Sequence, residues 1–189
     1  MIRNRVTLAL TLALVSTAAW TAPQQDIEKI NGSISAEAGQ VVGNLETVNG
    51  SIRVAQDVRI DGHVETVNGS VFVDRGGNVD GDVSTVNGAI GLVDTDLSGG
   101  IETVNGDITV GVRSHVKGGI KVEKPNSSWM PISIVKRKPP RVVIAANAVV
   151  EGPLVFEREV KLYVHQSARI GPVTGATVVR YSGGRAPAD

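Results

Sequence analysis

Thr47-Val48-Asn49-Gly50 returns as Thr66-Val67-Asn68-Gly69, as Thr85-Val86-Asn87-Gly88 and as Thr103-Val104-Asn105-Gly106. An earlier copy, Lys29-Ile30-Asn31-Gly32, lacks the threonine but keeps the Asn-Gly pair. Steps between the asparagines are 18, 19, 19 and 18 residues. A unit recurring at a fixed period near twenty residues predicts a solenoid in which each repeat forms one coil.

Aligned on the asparagines, four apolar columns come into register. They are Leu45, Val64, Val83, Ile101, Ile120; Ile34, Ile52, Val71, Ile90, Ile108; Val54, Val73, Leu92, Val110; and Val41, Ile60, Val79, Leu97, Val116. Glycine follows the last column every time, as Gly43, Gly62, Gly81, Gly99 and Gly118. The repeat between Gly81 and Gly99 is one residue short, and all downstream columns shift together. Each coil therefore reads as three short strands with alternating residues inward, separated by corners. The Asn-Gly pair is expected to supply a corner of positive φ. The competing architecture is a meander of Asn-Gly hairpins. A hairpin needs two differing strands around its turn, whereas one unit repeats here. The fold expected is all-β: a single-stranded parallel β-helix, right-handed, with 18–19-residue coils. Like residues then stack about 4.8 Å apart. Asn31, Asn49, Asn68, Asn87 and Asn105 are expected to form an amide ladder. Whether Thr or the following Val faces inward is left open by the periodicity.

Composition narrows the function classes. The 189 residues carry 19 basic and 19 acidic groups, so no global field favours nucleic acid. With no cysteine, disulfides, thiolate metal sites and lipid-modified cysteine are excluded. Residues 1–22 read as a secretory signal: Arg3 and Arg5 precede the apolar run Val6 to Val15, and cleavage falls near 19–22, after Ala19 or alternatively Thr21. An uncleaved membrane anchor is the other reading. Residues 23–122 are the regular coils. From Glu123 to Arg141 four prolines forbid a central strand, so 123–141 is expected to loop out as a basic excursion. Residues 142–181 return in degenerate coils, with Gly152-Pro153 and Gly171-Pro172 spaced 19 apart, and 182–189 reads as a disordered tail.

Candidate chemistry is sparse. Glu46 and Glu65 share a column and could hold a cation together, although Ser84 interrupts the row and Ca²⁺ wants six or more oxygens. His63 over Asp82 is expected to be a surface ion pair. Trp129 with Lys136, Arg137, Lys138 and Arg141 pairs an apolar patch with a basic cluster, a combination that can touch a cell-wall polymer or an anionic envelope surface. Nothing in the pattern specifies a catalytic residue or a cofactor.

The repeated Glu-Thr-Val-Asn-Gly-(Ser/Asp)-Ile-x-Val unit, over about Ile27 to Val122, resembles the putative-adhesin family of exported bacterial β-solenoids. The Val58 to Val64 stretch and that around Val79 to Val83 also resemble bactofilins, polymer-forming β-helical scaffolds that are usually cytoplasmic. Neither resemblance implies catalytic residues. The expected role is thus non-catalytic, structural or adhesin-like, in the cell envelope, with the protein exported to the periplasm or surface. A scaffold that self-associates end to end is the alternative. A polysaccharide-active β-helix enzyme is the third reading, and it needs a loop-built groove of converging carboxylates.

Overall fold

In a computed structural model, which describes residues 24–125 and 138–188, the chain winds as a parallel β-solenoid. Three parallel sheets of eight, eight and seven strands run along it, each built from every third strand. The coils number about 8, of about 19 residues. Among the described residues no strand pair is antiparallel, so these repeats do not form hairpins.

One coil shows how the residues make the turn. Strand β4 (Leu45–Asn49) is the long wall, β5 (Ile52–Val54) the second and β6 (Arg59–Ile60) the short third wall. Leu45 and Thr47, Ile52 and Val54, and Ile60 point inward, and their alternate neighbours point out. The next coil repeats this with Val64, Thr66, Val71, Val73 and Val79. Nearly all of these aliphatics are below 2 % exposed. Each contributes roughly 1.5–3 kcal/mol by leaving water.

The register also settles Thr against Val. Thr47, Thr66, Thr85 and Thr103 are buried, while Val48, Val67 and Val86 stand out of the sheet at about 40 % exposure. The inward hydroxyls have a use at the corner. Thr47, Thr66 and Thr85 donate to the carbonyls of Gly32, Gly50 and Gly69 in the coil before, at 3.1, 2.9 and 2.9 Å. Thr103 Oγ1 has no partner. Thr66→Val should therefore lose about 1 kcal/mol, the worth of a hydrogen bond. Thr103→Val should be neutral or stabilising, since it deletes an unpaired buried hydroxyl. Urea midpoints of the two variants give the comparison.

Three expectations need correction. Val41 is exposed, and Val42 is the inward residue that pairs with Ile60. The first coil is one residue short beyond Val42, so counting back from Ile60 by the commoner period lands one place early. The Asn-Gly corner also does not need left-handed backbone at every copy: Gly50, Gly69 and Gly106 lack it. Glycine is needed there for space. A Cβ on Gly69 would collide with the carbonyl oxygen of Gly50, and one on Gly106 with that of Gly88. Left-handed backbone sits at the corner after the second wall. There Gly39, Asp57, Gly76, Asp94, Arg113 and Asn147 have φ of 74, 58, 70, 47, 59 and 58°. Glycine, aspartate and asparagine tolerate that region. Arg113 is the exception, and both its guanidinium contacts go to Asp94 in the coil below, at 2.7 and 3.1 Å. The short repeat drops its residue at this same corner, between Leu92 and Leu97.

On either side of residues 126–137 the stack keeps its register: Ile108 pairs with Val142 and Ile120 with Leu154. The wall after the excursion is strand β17 (Arg141–Ile144), so Arg141 belongs to the solenoid rather than to the loop.

Candidate functional site

The outer face of the long wall is the most distinctive surface. Alternation along the strand puts two rows there. One is Glu28, Glu46, Glu65, Ser84, Glu102 and Lys121, in register coil over coil. The other is aliphatic, with Ile30 at 74 % exposure above Val48, Val67 and Val86. A shallow open groove of about 440 Å³ runs between them, one wall carboxylate and the other methyl. Glu46 and Glu65 are direct partners, as the shared column requires. Among the described residues, no group of three or more His, Asp or Glu is arranged to hold a metal ion.

Beside the aliphatic row runs the asparagine ladder. Each Nδ2 donates to the Oδ1 one coil back: Asn49 to Asn31, Asn68 to Asn49, Asn87 to Asn68 and Asn105 to Asn87, at 3.0–3.2 Å. The last acceptor, Asn105 Oδ1, takes a bond from Arg158 Nη1 at 2.7 Å, and the same nitrogen donates to the Val104 carbonyl at 3.0 Å. Arg158 thus ends the ladder with a charge-assisted bond. It was invisible in the sequence because it lies 53 residues from its partner, in a coil without the repeated phrase.

A second column uses side chains to hold the next coil's backbone. Asp26, Asn44, His63 and Asp82 accept the amide N–H of Asn44, His63, Asp82 and Gly100 respectively, at 2.6–3.0 Å. His63 Nδ1 therefore serves as an acceptor for the Asp82 backbone. The expected His63–Asp82 ion pair is a secondary feature, with Nδ1 3.5 Å from the Asp82 carboxylate. The corner glycines Gly62, Gly81, Gly99 and Gly118 close the same edge, because a Cβ on any of them would strike the coil beneath.

Of the basic cluster, Trp129, Lys136 and Arg137 lie outside the described residues, and Lys138 borders them. Arg141 is engaged on the body. Its backbone N–H meets Asp107 Oδ1 at 2.8 Å, its guanidinium donates to the Pro187 carbonyl at 2.5 Å, and it stacks 4.9 Å from the Tyr163 ring centre. The tail up to Pro187 is tied to the solenoid by that bond.

Charged groups on this framework set its pH response. Arg113 holds the Asp94 carboxyl below its ordinary value, mainly through their hydrogen bonds. That contribution is present above the ordinary carboxylate range and is lost as pH falls through it. Burial raises the Tyr181 phenol, partly opposed by Arg141. The hydrogen bond to Glu123 raises Lys121. In both, the folded protein keeps a proton that the unfolded chain releases, so stability should fall as pH rises beyond about 10. Urea midpoints measured from neutral to strongly alkaline pH should decline, and Tyr181→Phe should flatten part of the decline.

Comparison of the chain with protein-family models, curated proteins and solved structures finds no match to any of them.

Proposed function

We propose that this chain is a non-catalytic, exported β-solenoid that serves a structural or adhesin-like role in the cell envelope. The observation that carries this reading is the long lateral face. Rows of methyl groups and carboxylates repeat coil after coil, with no described residue folded over them, which suits extended contact better than enclosure of a small substrate. The secretory-signal reading of residues 1–22 supports the location. The resemblance to exported putative-adhesin solenoids supports the class.

The experiment is fractionation of cells producing the full chain, followed by co-sedimentation of the purified protein with isolated envelopes. Export and sedimentation that drops in Val48→Ser/Val67→Ser/Val86→Ser support the reading. Retention in the cytoplasm, or sedimentation indifferent to those substitutions, defeats it.

A second reading, an end-to-end polymer, rests on the terminal coils. Among the described residues, strands β1 (Ile27–Asn31), β2 (Ile34–Ala36) and β3 (Val41–Val42) each pair on one side only, leaving an edge that a second copy could extend. Light scattering that shows growth with concentration would favour it over the lateral-face reading.

A further inference from the structure

From the geometry at the end of the asparagine ladder, we infer that the Asn105–Gly106 peptide is a self-modifying site. There the Gly106 nitrogen cyclises onto the Asn105 side chain, and the asparagine is converted to aspartate or isoaspartate. The inference does not rest on the envelope role.

Five Asn-Gly pairs stand in the ladder, and Asn-Gly is the dipeptide in which this reaction meets least steric hindrance. Four of them are held shut. The N–H groups of Gly32, Gly50, Gly69 and Gly88 donate to the carbonyls of Asn49, Asn68, Asn87 and Asn105 in the next coil, at 2.8, 3.1, 3.0 and 3.1 Å. A nitrogen so held must break a bond before it can lose its proton and turn on its neighbour. Gly106 differs. In the next coil Thr103 pairs with Val122, so the places over Asn105 and Gly106 fall to Lys124 and Pro125, past the end of that strand. Among the described residues, the Gly106 N–H has no hydrogen-bond partner. Both residues are half-buried and within reach of water.

The electrophile differs as well. In the interior of the ladder each Oδ1 accepts from a neutral amide, whereas Asn105 Oδ1 accepts from the Arg158 guanidinium at 2.7 Å. A cation on that oxygen draws density from Cγ and stabilises the negative charge that gathers there during attack. The step balances with solvent alone. The Gly106 N–Cγ bond forms, the Cγ–Nδ2 bond breaks, and the nitrogen leaves as ammonia with the proton Gly106 gives up. Water then opens the cyclic imide at either carbonyl. The product carboxylate loses the donation to Asn87 and gains an ion pair with Arg158, and the isoaspartate form lengthens the backbone of the bend that lies under Lys124 and Pro125.

The test is incubation of the purified full chain in warm, mildly alkaline buffer, folded and in denaturant, with peptide mapping by mass spectrometry and isoaspartate detection. In denaturant the five pairs should react at similar rates. In the folded protein Asn31, Asn49, Asn68 and Asn87 should slow by about tenfold or more, while Asn105 keeps pace. Folded Arg158→Ala, checked for its β-sheet circular dichroism, should convert Asn105 several-fold more slowly. Equal protection of all five pairs, or earlier conversion at another asparagine, overturns the site. Unchanged or faster conversion in Arg158→Ala overturns the part given to the guanidinium.

Discussion

Gly69→Ala should be among the most damaging single substitutions in this protein, although it adds only one methyl group and leaves the sequence pattern almost intact. The added Cβ would lie against the carbonyl oxygen and carbon of Gly50 and near the Ser51 nitrogen. These are backbone atoms of the coil below, which cannot rotate aside as a side chain would. They are also held in place by the Thr66 hydroxyl, which donates to the same Gly50 oxygen at 2.9 Å. Relief requires the two coils to part at this corner, stretching the bonds from Gly50 N–H to Asn68 O and from Ile52 N–H to Ser70 O. Overpacking of this kind costs about 1–3 kcal/mol where side chains can adapt, and a rigid backbone puts it at or beyond the upper end. For a chain of this size each kcal/mol lowers Tm by roughly 2–4 °C. Gly39→Ala is the matched control. A Cβ there meets nothing within 4 Å, so only its positive φ penalises the change. A thermal melt showing Gly69→Ala no worse than Gly39→Ala would mean the coils are not stacked as closely as described.

The second large effect is expected in the core, and it should depend on position along the axis. Ile101→Ala removes a fully buried side chain from the fifth rung of the first sheet, with Val83 on one side and Ile120 on the other. Such a truncation costs about 2–5 kcal/mol, with the spread set by how far the surroundings can close the cavity. Ile34→Ala removes the same atoms from the first described coil, whose strand has a described neighbour on one side only. A stack gains stability mainly from contacts between adjacent units, so a defect in the middle weakens two interfaces and one at the end weakens a single interface. Ile101→Ala should therefore lower the urea midpoint more than Ile34→Ala. Hydrogen exchange should show amides of the coils flanking Ile101 losing protection, while Ile34→Ala loosens the first coil alone. Equal losses at the two sites would contradict a nearest-neighbour account of this solenoid.

How much of this was legible beforehand follows from what repeats. Columns such as Leu45, Val64, Val83 and Ile101 recur at a near-constant step, so the parallel stack and the inward faces could be read directly. Where the step changes, the periodicity points one place off, to Val41 where Val42 is the buried residue. The turn chemistry misled in a different way. Asn-Gly marks positive φ at Gly32 and Gly88, but at Gly50, Gly69 and Gly106 it answers a shortage of room, while other left-handed positions pass through Asp57, Asp94 and Arg113, which look like ordinary surface charges. The inward Thr of Thr-Val-Asn-Gly could not be told from its valine neighbour, since both suit a strand and only the corner carbonyl decides between them. Arg158 and the free Gly106 N–H lay beyond sequence reasoning altogether. Both arise where the repeat stops, and a periodic argument is silent at its own boundary.

The walls keep their order across residues 126–137: the strand before them and the strand after them take the seats an ordinary corner would have given them. A structure of this kind behaves as a rack with fixed shelves, whose uprights tolerate attachments. A foreign peptide spliced at the equivalent Asn87-Gly88 bend should hang outside without disturbing the shelves above or below. The chain thus has a built-in means of acquiring new contact loops one bend at a time, while its rigid frame stays as it is.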